Sequence, residues 1–259
     1  MNPQLYVLSR PQIDTEAVAR FLEDHQTSWR RSEDAKPGED LVEFAGRICY
    51  MSFGNQQSPK SNGQYIGHLI DQGHESVLEH VHWSFVLTGI TRAFTHQLVR
   101  HRVGFSFSQL SQQYHDERDA AFIGSEHLEK YPEVHRLWRE ATAQSREAYQ
   151  QMLELLASHQ PEFMVETDKR EAIRAIRTAA RSVLPNATAT KIAVTANARS
   201  LRHFLDVRGS LVGDLEMRKV SHLLYGMMVE DAPTLIQDFT LETRSDGTPM
   251  VFKKGVNGA

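Results

Sequence analysis

His82-Trp83-Ser84-Phe85-Val86-Leu87-Thr88 decides how this chain folds. Its aromatic and β-branched side chains cluster just before Gly89 and so mark a strand in a sequence that otherwise reads mostly helical. Before it, Ala17, Val18, Phe21 and Leu22 fall at helical spacing between Asp14 and Asp24. Pro37-Gly38 then reads as a loop, and a helix is expected from Asp40 through Cys49. Ile66, Leu69 and Ile70 carry a helical pattern to Gly73, a C-terminal stop. After the strand, a helix expected over Arg92 to His101 places Phe94, Leu98 and His101 on one face, with Gln97 close by. From Ser106 to Ser111 the pattern changes: Phe105 and Phe107 alternate with Ser106 and Ser108, which implies extended backbone with the hydroxyls on one side.

Leu137 to Ala157 and Glu171 to Val183 read as long amphipathic helices, the second stopped by Pro185, and further helices are expected over Ser200 to Val207 and Asp214 to Val229. The tail after Arg244, with Gly247, Pro249, Gly255 and Gly258, is expected to be mobile. No repeat, low-complexity segment or linker divides the chain, so a single domain over residues 1–259 is expected.

Composition narrows the functional classes. The chain is 40% hydrophobic and 24% charged, which fits a globular protein and neither a disordered nor a disulfide-rich one. A net charge of −4 argues against a sequence-independent nucleic-acid binder. The single cysteine, Cys49, excludes an internal disulfide and a cysteine-based zinc site and fits a reducing compartment. The first residues carry no secretory signal, and no window approaches the apolar run of about 18 residues that a membrane helix needs, so a cytoplasmic protein is expected.

Three clusters could carry chemistry. Arg100-His101-Arg102, followed by Ser106, Ser108, Gln109, Ser111 and Gln112, offers two guanidinium forks suited to a phosphate or an electron-rich ring, with a polar cradle beyond. Basic residues in the last turn of a helix that complement its dipole are the plainer reading. His74-Glu75-Ser76-Val77-Leu78-Glu79-His80 invites a zinc site. Its histidines are six apart, however, and would not share a helical face, so no metal is expected. Asn197-Ala198-Arg199-Ser200-Leu201-Arg202-His203 continues to Arg208, which falls near the far end of a helix with His203 a turn or more before it; a solvated helix face is the commoner explanation for such charges. No nucleophile elbow, Gly-x-Gly-x-x-Gly fingerprint or Walker loop is present, so a nucleotide cofactor would be held outside the glycine-rich scaffolds.

Taken in order, Gly73-His74-Glu75-Ser76-x-x-Glu79-His80, Gln97-x-x-Arg100-His101-Arg102, Ser106-x-Ser108-Gln109-Leu110-Ser111 and Asn197-Ala198-Arg199-Ser200-Leu201 with Arg208 resemble the flavin-dependent thymidylate synthases. The resemblance implies an α/β (α+β) fold with a central, mainly antiparallel sheet flanked by helices, assembled as a homotetramer. It implies reductive methylation of dUMP to dTMP with bound FAD and with NADPH and 5,10-methylenetetrahydrofolate as co-substrates. No membrane or nucleic-acid partner is expected. His74, Ser76, Glu79, Arg100, His101, Arg102, Gln109, Asn197, Arg199 and His203 would bind FAD. Gln97, Arg100, Leu110, Ser111, Gln112, Gln113, Arg181 and Arg208 would surround the nucleotide, with Arg208 as the catalytic, activating arginine.

Two departures stand out. Val103, Gly104 and Phe105 separate Arg102 from Ser106, one residue more than the family pattern usually carries, so the loop must bulge and the flexible Gly104 can absorb it. Gln113 stands where the family motif usually ends in an arginine that grips the substrate phosphate, with Arg118 or Arg181 as compensating cations. The alternatives are a paralogue methylating another uridine nucleotide such as UMP, a catalytically inactive flavin- or RNA-binding homologue, and a zinc hydrolase built on His74 to His82.

Overall fold

The computed structural model describes residues 2–159 and 168–255. Its elements in chain order are β1 (Gln4–Ser9), α1 (Thr15–Asp24), α2 (Pro37–Ile48), α3 (Asn62–Asp71), β2 (His82–Thr91), α4 (Arg92–Leu98), β3 (Phe105–Gln109), α5 (Glu126–Glu129), α6 (Pro132–Ser158), α7 (Lys169–Ala180), β4 (Ala189–Asn197), α8 (Ala198–Arg208), α9 (Leu215–Asp231), β5 (Phe239–Thr243) and β6 (Pro249–Lys253). Short 3₁₀ turns lie at Gly54–Gln56, Glu75–His80, Arg181–Val183 and Pro233–Ile236. The fold is mixed α+β, an antiparallel sheet flanked by helices, as the resemblance implied. Four strands pair in the order β1-β2-β4-β3, and β5 pairs with β6 alone.

The expected strand at His82 runs on to Thr91 with Trp83, Phe85 and Leu87 buried at period two, as a half-buried strand requires. The bonds flanking β3 and β4 fix their direction. Gly104 accepts from the Asn197 amide at 3.1 Å and the Leu110 amide donates to Lys191 at 3.0 Å, which is antiparallel register.

The chain divides into two compact units. The first comprises Met1–Pro3, Leu87–Arg100 and Ser108–Ile192. Its core is built where α6 and α7 pack Tyr149 and Leu153 against Ile176 and Ala180. Tyr149 is fully buried, and its hydroxyl accepts from the Glu117 amide at 3.2 Å. Burial pushes the Glu117 carboxyl up and lowers the Arg92 pKa.

The second unit comprises Gln4–Val86, His101–Phe107 and Ala193–Ala259. Here Pro37-Gly38 is not a loop but the start of α2. Proline at the first helical position loses no hydrogen bond, and the Glu39 carboxylate caps the turn by accepting from the Lys36 amide at 2.8 Å. Arg47 on the same helix is 1% exposed, pairs with Glu43 at 2.7 Å and lies over the Tyr65 ring at 4.5 Å. Residues 249–253, within the tail read from sequence as mobile, form β6 in register with β5, Leu241 opposite the buried Val251. Glycine and proline marked the turn of a hairpin there, as they do in any tight connection. Residues 256–259 of that tail lie outside the described residues.

Candidate active site

The second unit holds most of the residues assigned to the flavin. Asn197 ends β4 and caps α8, its Oδ1 accepting from the Ser200 amide at 2.8 Å. The loop after Arg102 is fastened to this cap, because Ser200 Oγ donates to the Val103 carbonyl at 2.7 Å and Asn197 N to that of Gly104. Gly104 has φ +70°, and a Cβ on it would stand 2.1 Å from Ser200 Oγ and 2.5 Å from Asn197 Nδ2. The loop thus turns at a glycine that no other residue can replace without moving the cap. Gly104→Ala is expected to cost about 1–2 kcal/mol for the left-handed backbone and about 1 kcal/mol more for the disturbed cap. Thermal unfolding of the two proteins side by side measures it, and an unchanged midpoint would show that the loop relaxes freely.

The helix expected to reach His101 stops at Leu98, where Val99 N still bonds Thr95 O. Arg100, His101 and Arg102 therefore follow the helix rather than decorate its last turn, and His101 does not share a face with Phe94 and Leu98. His101 turns instead toward α8. Its ring centroid is 5.1 Å from that of Phe204 and 6.1 Å from that of His203, and its Nε2 accepts from Arg208 Nε at 3.2 Å. Burial, then the charges of Arg208 and His203, hold its pKa below the usual imidazole value. A neutral imidazole therefore accepts from a permanently charged guanidinium.

Glu75–His80 is a 3₁₀ turn pinned by the buried Val77 and Leu78, with Ser76 on it and His74 at its N-terminal cap. Arg199 donates to Glu79 at 2.5 Å and lies 3.7 Å from Glu75, joining this turn to α8. Among the described residues, no three His, Cys, Asp or Glu side chains form a group that could hold a metal. Arg102 is exposed.

The residues assigned to the nucleotide fall mostly in the first unit, together with Arg100 and Gln109 of the flavin set. Gln97 is half-buried on α4 and Arg100 exposed beyond its end. Gln109 Nε2 donates to Thr95 Oγ1 at 2.9 Å, and Leu110 continues the β3 ladder onto Lys191. Ser111 opens a turn, its Oγ accepting from Gln113 N at 3.3 Å. Gln112 is 6% exposed, and among the described residues its Nε2 has no hydrogen-bond partner, an orphaned donor of the kind a ligand satisfies. Gln113 Nε2 donates to Thr178 Oγ1 on α7 at 3.1 Å, one turn before Arg181. The charge of Arg181 bears on Arg92, which the sequence marks only as a helix start. Phe204 and Asp238 escape sequence reading too: an apolar residue on a helix and a lone aspartate after a turn carry no motif.

The fold and these contacts can be set beside known proteins. The family model described as thymidylate synthase complementing protein matches residues 33–234. A flavin-dependent thymidylate synthase of Mycolicibacterium gilvum is 43% identical over 234 residues, covering 90% of this chain and 91% of that protein. Those of Mycobacteroides abscessus and Mycobacterium tuberculosis are each 41% identical, over 92% and 90% of this chain and 95% and 91% of theirs. With a family model spanning most of its length and relatives alike nearly end to end, the chain belongs to the flavin-dependent thymidylate synthase family.

Proposed function

We propose that this protein is an FAD-dependent enzyme that methylates dUMP to dTMP, taking the carbon from 5,10-methylenetetrahydrofolate and the reducing equivalents from NADPH. The observation that carries this reading is the Arg208 guanidinium held against a neutral His101. Such a guanidinium stays charged at every working pH and stabilises negative charge as it develops on the uracil N3 and O4, with no proton to transfer. The only cysteine gives no competing route: Cys49 is exposed just past α2, and its thiol donates to the Ala45 carbonyl at 3.6 Å.

The side chains of the second unit fit a flavin. Asn197 Oδ1 is committed to its cap and Arg199 is matched by Glu79, which leaves Arg102 as the exposed cation for a diphosphate and His74, Ser76 and His203 as polar edges. Bound FAD supplies the redox chemistry. In the second unit Arg208 is the group that polarises the base; the first unit by itself offers a nucleotide the Gln112 Nε2 donor, without a partner among the described residues, and the positive charge of Arg181. The reading carries with it a homotetramer in the cytoplasm, in keeping with the family. Among the described residues no helix is long and apolar enough to cross a membrane.

Gln113 favours a second reading, in which another uridine nucleotide such as UMP is the substrate. Its amide is bonded to Thr178 where the family usually presents a cation. Gln113→Arg is expected to restore a charge-assisted bond to phosphate worth about 1.5–3 kcal/mol, seen as a KM for the true nucleotide lower by about ten- to a hundredfold. The deciding experiment reduces the yellow protein anaerobically with NADPH and adds methylenetetrahydrofolate with dUMP or UMP in parallel. Methylated product from dUMP supports the first reading and product from UMP alone the second. Failure to take up FAD overturns both.

A further inference from the structure

The hairpin of β5 and β6 lies beyond the residues that the family model matches and has no part in the chemistry above. It is nonetheless tied to α8 at successive turns. Arg202, 2% exposed, donates to both oxygens of Asp238, the residue before β5, at 2.6 and 2.8 Å, and to the Leu235 carbonyl at 2.7 Å. One turn further along, the Asp206 carboxylate lies 3.5 Å from Lys253 Nζ on β6. At the helix end the Val251 amide donates to the Gly209 carbonyl at 3.0 Å. Residues 202, 206 and 209 are spaced so that they share one helix face. The hairpin is braced from a second helix as well, since Arg218 on α9 donates to Thr248 Oγ1 at 2.6 Å and to the Pro249 carbonyl at 3.2 Å.

The last carbonyls of a helix lack partners within it, so the final turn frays unless something else donates there. Arg208 sits in that final turn, and the carbonyl of the next residue is satisfied by β6. The approach is close: a Cβ on Gly209 would stand 2.3 Å from the Val251 carbonyl oxygen and 3.0 Å from its Cβ. We infer that the C-terminal hairpin is a clasp that positions Arg208, seating β6 on the glycine that ends α8 and so fixing the turn from which the guanidinium reaches His101. Gly209 is the positioning residue at that contact. The inference rests on the reading of Arg208 as the activating group.

The test uses the flavin-loaded, full-length enzyme and reads flavin content, kcat and KM for dUMP, and the titration midpoint of His101 by NMR. Gly209→Ala is expected to keep flavin content and KM within about twofold and to lose at least about tenfold in kcat. The His101 midpoint is expected to rise as the neighbouring positive charge withdraws. A folded Gly209→Ala protein with wild-type kcat and midpoint overturns the clasp. Should that variant not fold, Asp206→Lys opposes two ammonium groups at the neighbouring contact between α8 and β6, the half-exposed Asp206–Lys253 pair. It is expected to lower kcat at least about threefold, with recovery in the Asp206→Lys, Lys253→Asp charge swap, and unchanged kcat in the single variant overturns the idea equally. A wild-type protein inactive on both dUMP and UMP counts against the functional reading alone, because the His101 titration needs no turnover and still decides the clasp.

Discussion

Arg208→Ala lowers kcat by about 10²- to 10³-fold, the loss expected when one preorganised donor is removed from developing negative charge, while the protein stays folded and yellow. The expectation follows from what Arg208 contacts: its Nε is given to His101, which fixes the plane of the fork and holds its charge in place. Arg208→Lys recovers only part of the loss, because a compact ammonium cannot hold the His101 bond and present a planar fork together. Stopped-flow separates the steps. On the proposed reaction, reduction of the flavin by NADPH is expected to proceed as in the wild type, whereas nucleotide-dependent reoxidation is expected to slow. A variant that keeps more than about a tenth of wild-type turnover would take Arg208 out of the chemistry.

Asp238→Ala is the substitution with the largest expected effect on stability. It removes both carboxylate acceptors from the guanidinium of Arg202, whose side chain is 3% exposed, which keeps only the Leu235 carbonyl among the bonds described above and whose Nε has no hydrogen-bond partner among the described residues. Removing one partner of a buried pair costs about 3–5 kcal/mol, and the partial exposure of Asp238 together with Glu75 at 3.8 Å from Arg202 places this case near the lower figure. Urea unfolding at neutral pH measures it. The sign of the pH dependence follows from the same pair. Burial alone would raise the Asp238 pKa, but the hydrogen bonds and charge of Arg202, aided by Lys253, outweigh it and hold the carboxyl below its usual range. The stabilisation is therefore present above the unfolded carboxylate's pKa and is lost as pH falls through the depressed folded value. Wild type and Asp238→Ala should converge in stability in strong acid.

Elements with one strong periodic signal were legible from sequence. Asp14 caps α1, α8 runs from Ala198 to Arg208 around the expected Ser200 to Val207, and α6 extends the expected Leu137 to Ala157 by a few residues at its start. Failures came where local chemistry has two solutions. Pro37-Gly38 serves a loop or a helix start, and the difference lies in Glu39, whose carboxylate takes the Lys36 and Thr234 amides. Strand β4 alternates Thr190, Ile192, Val194 and Ala196 inward, a pattern visible in the chain yet masked by its alanines and threonines. At the candidate site the sequence offers residue types in order, and the contacts among them were not legible. Nothing in Arg100-His101-Arg102 foretells that His101 leaves its helix, is held neutral first by burial and then by the charges of Arg208 and His203, and bonds a residue more than a hundred positions on, because those surroundings come from tertiary packing.

The turn at Gly104 after Arg102 has a genetic consequence. Every non-synonymous single-base change in a glycine codon that is not a stop introduces a Cβ, and at Gly104 that atom meets the Asn197 cap whatever the side chain beyond it. Val103, its neighbour, is 84% exposed and anchored through its backbone carbonyl. A saturation library selected for thymidine-independent growth should therefore return nearly all substitutions at 103 and almost none at 104. Tolerance at neighbouring positions is thus set by which part of the residue the fold uses, the missing Cβ at 104 and the backbone carbonyl at 103.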